Sequence, residues 1–189
     1  AVDTGLAFLA GDDGGGDALA LIRQSADRLN NRISFFRAAF GQGGGRQGPL
    51  GVDDARALSE GWYGDAKPDL DWPPDPSGVA SEVAPDAVKV LLILVMIAEE
   101  CLPRGGRVSV QVQYLPEGVG MAVTAAGAGA KPADGVAASL SGGAAAGELS
   151  SRDVTAYFAN VLAQGQGGRL EAQASADQVQ LAALFPNQG

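Results

Sequence analysis

From Leu19 onward the apolar residues fall at Leu19, Ile22, Ala26, Leu29, Ile33, Phe36 and Phe40, alternating steps of three and four. A helix with a single narrow apolar stripe satisfies that period, and such a seam is the pattern of a helix packed in a bundle. The predicted helix covers residues 17–40, with Asp17 as its N-terminal cap and Gly41 ending it in a left-handed conformation. Val2, Leu6 and Leu9 repeat the spacing upstream, and the glycines and aspartates of 11–16 predict a reversal between two antiparallel helices. A two-helix hairpin cannot enclose its own stripe. A second copy would complete a four-helix bundle, with Leu19, Ile22, Leu29, Ile33, Phe36 and Phe40 as the dimer core.

Composition narrows the partners. Twenty-two acidic residues against thirteen basic ones give a formal charge of -9, which repels phosphate backbones and anionic lipid. Nucleic acid is therefore not an expected partner. The longest strongly apolar run, 90–98, is about half of the ~20 residues a membrane span requires, so no membrane segment is expected. The single cysteine, Cys101, cannot form an intramolecular disulfide, and a cytoplasmic location follows as the expectation. Glycine clusters at 14–16, 43–45 and 142–143 without a fixed period and reads as linkers rather than repeats.

Beyond the glycine-rich stretch 41–51 the pattern changes, which sets a boundary between a hairpin domain, 1–41, and a second domain, 42–189. Helix is predicted over 53–62, a short edge strand over 68–72, and a strongly apolar helix over 84–102. Residues 107–115 alternate, with Val108, Val110, Val112 and Tyr114 on one face, and 118–125 pairs back across Pro116 and Glu117. Ser151 is the expected cap of a helix with the apolar face Val154, Tyr157, Phe158, Val161 and Leu162. Strands over 169–174 and 178–185 close an α+β sandwich.

That order of elements resembles the Bergerat fold, the ATP-binding domain of sensor histidine kinases, preceded by their dimerisation and phosphotransfer hairpin. Over nearly its full length the chain is similar to the ChpT-type histidine phosphotransferase family. The matching segments are Ala-Val-Asp-Thr-Gly-Leu at 1–6, Ile-Ser-Phe-Phe-Arg-Ala-Ala-Phe-Gly at 33–41, Val-Lys-Val-Leu-Leu at 88–92 and Leu-Pro-Arg-Gly-Gly at 102–106.

The resemblance implies a degenerate nucleotide domain. Active kinases of this fold use a helical Asn to help hold Mg²⁺, and the matching position here is Ile93, which offers a hard cation no lone pair. Their Asp-x-Gly-x-Gly loop is here Ala125-Ala126-Gly127-Ala128-Gly129, whose glycine spacing alone reads as a plain flexible loop. Neither metal nor nucleotide is an expected cofactor, and no kinase or ATPase activity is expected.

By the same resemblance the chain relays a phosphoryl group from the receiver domain of a hybrid kinase to response regulators of the bacterial cell cycle. Such transfer needs an imidazole, nucleophilic at neutral pH and labile once phosphorylated. These 189 residues contain no histidine. The family's His-Asp motif would fall roughly two helical turns upstream of Ala1. In an antiparallel hairpin, Arg32, Ser34, Phe35, Arg37 and Ala38 then surround the acceptor and form the expected receiver-docking surface, with the arginines steering an acidic pocket. Two alternatives stay open: a dimeric pseudo-phosphotransferase adaptor without transfer chemistry, and an ATP-binding kinase-like domain, which Ile93 and Ala125 oppose. Glu99 and Glu100 project about 100° apart on a helix and do not form an acid-base pair.

Overall fold

The computed structural model describes residues 15–41, 49–64, 66–74, 83–151 and 153–187. The predicted first helix, with Val2, Leu6 and Leu9, and most of the reversal lie outside the described residues.

Helix α1 spans Gly15–Phe40. It begins two residues earlier than expected, so Asp17 falls inside the first turn rather than ahead of it. Its end is also a correction. Gly41 is not among the residues with positive φ; its N–H donates to the Arg37 carbonyl at 3.0 Å. Glycine is still needed there, because a Cβ would approach that carbonyl oxygen to 2.2 Å.

Helix α2 covers Val52–Tyr63, its first turn tied by the Gly51 N–H donating to the Asp54 carboxylate at 3.1 Å. Strand β1, Pro68–Asp71, precedes helix α3, Pro85–Glu100, where Pro85 occupies a first-turn position with no hydrogen bond to lose. Strands β2, Gly106–Leu115, and β3, Gly118–Ala126, form the predicted hairpin, with Leu115 opposite Gly118. Helix α4, Val136–Leu140, a 3₁₀ turn at Ala146–Glu148 and helix α5, Val154–Gly165, lead to strands β4, Arg169–Ser175, and β5, Gln178–Pro186.

The sheet runs β1-β2-β3-β5-β4, with β1 parallel to β2 and the remaining pairs antiparallel. Because side chains alternate along a strand, one face carries Val108, Val110, Met121, Val123, Val179 and Leu181, all buried. Gln111, Gln113, Gln173 and Gln180 stand exposed among the residues of the other. On the buried face lies α3, every residue of which from Ala87 to Ala98 is buried except Lys89. A helix apolar all round can only be central, and Lys89 escapes by pairing with Asp86 at 2.9 Å.

Helix α5 departs from expectation twice. Ser151 does not cap it: Asp153 precedes the first turn, without a side-chain cap bond. Its packed side is Ala156, Ala159, Asn160 and Ala163, while Val154 and Val161 are each 46% exposed. Small side chains are the ones over which two helix backbones can approach, so α5 turns its alanines inward; Phe158 and Leu162 pack half-buried beside them, and the two valines face outward.

The core continues across residue 41. Phe35 and Ala39 of α1 belong to the same hydrophobic cluster as Ala55, Trp62 and the α3 residues. No described helix is long and apolar enough to cross a membrane.

Candidate functional site

Helix α1 has two unlike sides. Phe35 and Ala39 are completely buried against the rest of the chain. The heptad stripe is largely open: Ile22 is 44% exposed, Leu29 59%, Ile33 46%, Phe36 44% and Phe40 37%, the two phenylalanines touching Trp62 and Phe158 with one ring face or edge. Isolated exposed apolar residues are ordinary, but five in heptad register on one helix form a continuous patch of the kind a partner covers. Leu19 is a correction. At 6% exposure it is already buried within its own chain and adds little to the open stripe.

Arg32, Ser34 and Arg37 are exposed and Ala38 is half-buried, so these four can meet a partner. Phe35 cannot. It has no accessible surface, and its ring packs on that of Trp62 at a centroid distance of 4.6 Å. Phe35 belongs to the core beneath these four residues; of the positions expected to face a receiver it is the one that turns inward.

Trp62 is the residue missed in the sequence. It lies on the same side of α2 as Ala55 and Ser59, all buried, an i, i+4, i+7 spacing that marks an inward stripe. The edge of Phe36 meets its ring at 5.3 Å, nearly perpendicular, and the Arg32 guanidinium lies 4.7 Å from the ring centroid. Its Nε1–H donates to Glu99 Oε2 at 2.5 Å. Glu99 is thus a hydrogen-bond acceptor for α2, joining α3 to the helix that underlies α1.

Neither neighbour of this cluster supplies a nucleophile. Burial, and secondarily the charge of Glu99, push the Tyr63 phenol well above its ordinary range, while its hydroxyl donates to the Val95 carbonyl at 2.9 Å. Burial, then Glu100, raise the Cys101 thiol to about 11, so it stays protonated and inert at neutral pH.

The positions matching a nucleotide site are closed. Ile93 and Ala125 have no accessible surface, so neither presents an atom to a ligand. The glycine loop that reads as flexible is tied at several points. Gly127 N–H donates to the Asp177 carbonyl at 2.9 Å, and Gly129 N–H to the Asp177 carboxylate at 2.6 Å. Lys131 N–H donates to the Cys101 carbonyl at 3.1 Å, which draws the end of the loop onto the end of α3. Asp177 itself sits at φ 58°, a left-handed conformation that Asp tolerates better than most residues. No sequence pattern announced this partner, because it comes from the β4–β5 turn, 48 residues beyond Gly129.

Among the described residues no cluster of His, Cys, Asp and Glu could hold a metal ion. What the geometry offers is an exposed apolar helix face flanked by arginines, carried on an α/β sandwich in which Ile93 and Ala125 are fully buried.

Comparison with known proteins agrees with that description. Residues 52–178 match the histidine phosphotransferase C-terminal domain family, more than half of the chain, and the chain belongs to that family. Protein phosphotransferase ChpT of Brucella abortus (strain 2308) is 26% identical over 179 residues, which are 95% of this chain and 84% of the relative. A solved bacterial phosphotransferase structure superposes with a TM-score of 0.73 at 26% identity, covering 97% of this chain and 86% of that one. The nucleotide-free catalytic domain of histidine kinase ThkA shares the fold, with a TM-score of 0.55 at 13% identity over 71% of this chain and 90% of its own. Family membership places the chain in phosphotransfer within two-component signalling.

Proposed function

We propose that the chain is the body of a dimeric phosphorelay intermediate that accepts a phosphoryl group from the receiver domain of a hybrid kinase and passes it to response regulators of a bacterial cell-cycle relay. The observation that carries this reading is the exposed face of α1. Its apolar stripe, Ile22, Leu29, Ile33, Phe36 and Phe40, suits a second copy of the hairpin, and Arg32, Ser34, Arg37 and Ala38 offer a surface to a receiver. Residues 1–189 contain no histidine, so this reading requires a phosphoaccepting imidazole outside them. Arginine suits the partner's acidic phosphorylation pocket, because a guanidinium presents a planar fork of donors to a carboxylate.

Phosphotransfer tests the reading directly. The protein as encoded is mixed with a receiver domain carrying labelled aspartyl phosphate. Acid-labile, base-stable label should move onto it, as expected of a phosphoramidate. Docking without transfer of label would favour the adaptor reading instead. Binding of an unphosphorylated receiver to the 189-residue chain should weaken in Arg32→Glu/Arg37→Glu at low salt; unchanged affinity would place the receiver on another face.

A further inference from the structure

We propose that Trp62 is a positioning residue for receiver docking: it holds the Arg32 guanidinium at the docking face and ties that group to α3 through Glu99. The inference rests on the docking surface proposed above and deepens it. An arginine on an exposed helix face ordinarily samples many rotamers, and a partner must order it on binding. Arg32 instead lies over an aromatic face, 4.7 Å from the ring centroid. The π-cloud attracts the cation from one side without using up its N–H donors, which a partner's carboxylate can then accept from. None of the ion pairs among the described residues involves Arg32, so that edge is not spent on an internal carboxylate.

A platform works only if the platform itself is fixed. Trp62 is 7% exposed. Phe35 packs on its ring at 4.6 Å, Phe36 meets it edge-on at 5.3 Å, and Glu99 accepts its indole N–H. Phe35 is in turn completely buried. The ring therefore cannot follow the guanidinium; the guanidinium must follow the ring. Arg37, on the same helix, has no aromatic ring within cation–π distance among the described residues. The two docking arginines accordingly divide the work: Arg37 contributes mobile long-range charge, Arg32 a fixed donor geometry suited to a carboxylate-bearing partner. The contact chain Arg32–Trp62–Glu99 also gives the sandwich a task beyond nucleotide chemistry, since its central helix sets where the docking cation stands.

The test is a double-mutant cycle on the full chain, titrated with an isolated receiver domain of a hybrid kinase from the same genome, by calorimetry at low salt. Arg32→Ala and Trp62→Leu should each weaken binding about 3- to 10-fold, and the double variant should be no weaker than Arg32→Ala alone, because Trp62 acts only through Arg32. Glu99→Gln keeps an acceptor for the indole N–H and should retain wild-type affinity. An independent readout covers the case in which Trp62→Leu folds poorly. The chain has two tryptophans, so Trp72→Phe leaves Trp62 as the only one, and with excitation at the red edge of the indole band, where tyrosine does not absorb, Arg32→Ala in that background should change its emission. If Arg32→Ala leaves receiver affinity unchanged, the docking surface itself is wrong. If Arg32→Ala weakens binding while the Trp62 effect is absent or simply additive, or the emission is insensitive to Arg32, only the platform is wrong.

Discussion

The rings of Phe40 on α1 and Phe158 on α5 lie 5.7 Å apart and tilted by 30°, so the end of α1 rests on the last helix of the sandwich. Together with buried Phe35 and Ala39, this contact makes the C-terminal end of α1 a member of the sandwich core. Phe35→Ala should cost about 3–5 kcal/mol, the range for emptying a filled aromatic site. Calorimetric unfolding should show α1 and the sandwich melting together in one transition, displaced as a whole by the substitution. Two separated transitions, with the sandwich's unmoved, would show that the contacts do not couple them.

The open stripe predicts a dimer that can be broken without unfolding the protomer. Leu29 and Ile33 are 59% and 46% exposed, so Leu29→Glu/Ile33→Glu places charge in water within one protomer but at the centre of a dimer seam. Light scattering should report a monomer with a native circular dichroism spectrum. A wild-type chain that is monomeric at high micromolar concentration would remove the basis for the bundle.

Calorimetric titration with Mg-ATP should be flat, because Ile93 and Ala125 are fully buried and lack the polar atoms that would read metal and adenine. Ile93→Asn should not create a site. It would leave an amide in an apolar interior at a cost of about 1–3 kcal/mol from the unpaired group alone, on top of the lost packing, and the melting temperature should fall with no gain in nucleotide binding. A micromolar dissociation constant for the wild-type chain would overturn the degenerate-domain argument.

Cys101 should resist alkylation in the folded chain at pH 8 and react rapidly once denaturant exposes it. Its folded pKa is raised to about 11. In the unfolded chain the thiol ionises near its ordinary value of about 8.5, so between those values the unfolded state binds fewer protons. The thiol's contribution is therefore fully present below the unfolded pKa and is lost as pH rises toward the folded one. Stability should decline over that alkaline window, and Cys101→Ala should flatten the decline. A pH-independent difference between variant and wild type would show that the thiol is not the titrating group.

Asp177→Ala should loosen the glycine loop, since it removes the acceptor of the Gly129 N–H and places a β-carbon residue with no local hydrogen bond at φ 58°. A loss of about 1 kcal/mol is expected by urea unfolding, with Asp177→Asn retaining most of the stability because an amide oxygen accepts and Asn tolerates that conformation. Faster amide exchange at Gly129 in the alanine variant would locate the effect.

Element type was legible in the residues wherever one period dominated. The heptad of α1, the nine-residue apolar run inside α3 and the alternation of β2 each dictate a local geometry, because the buried face recurs at the repeat of the helix or strand. The resemblance to the kinase fold added a chemical expectation, that Ile93 and Ala125 lack the lone pairs two nucleotide contacts would use, and it depends on the fold for which residues meet the ligand. Which way a helix faces was not legible. Phe35 lies off the heptad yet is the position that enters the core, and α5 buries its alanines rather than its valines. Periodicity identifies an apolar face, but two apolar faces on one helix compete, and the backbone separation of the neighbouring helices selects between them. The joining of Arg32 to Trp62, Trp62 to Glu99 and Gly129 to Asp177 likewise required the tertiary structure, because their partners are 30, 37 and 48 residues apart. Local pattern carries no information about pairs so distant; only the closed core brings them within a few ångströms.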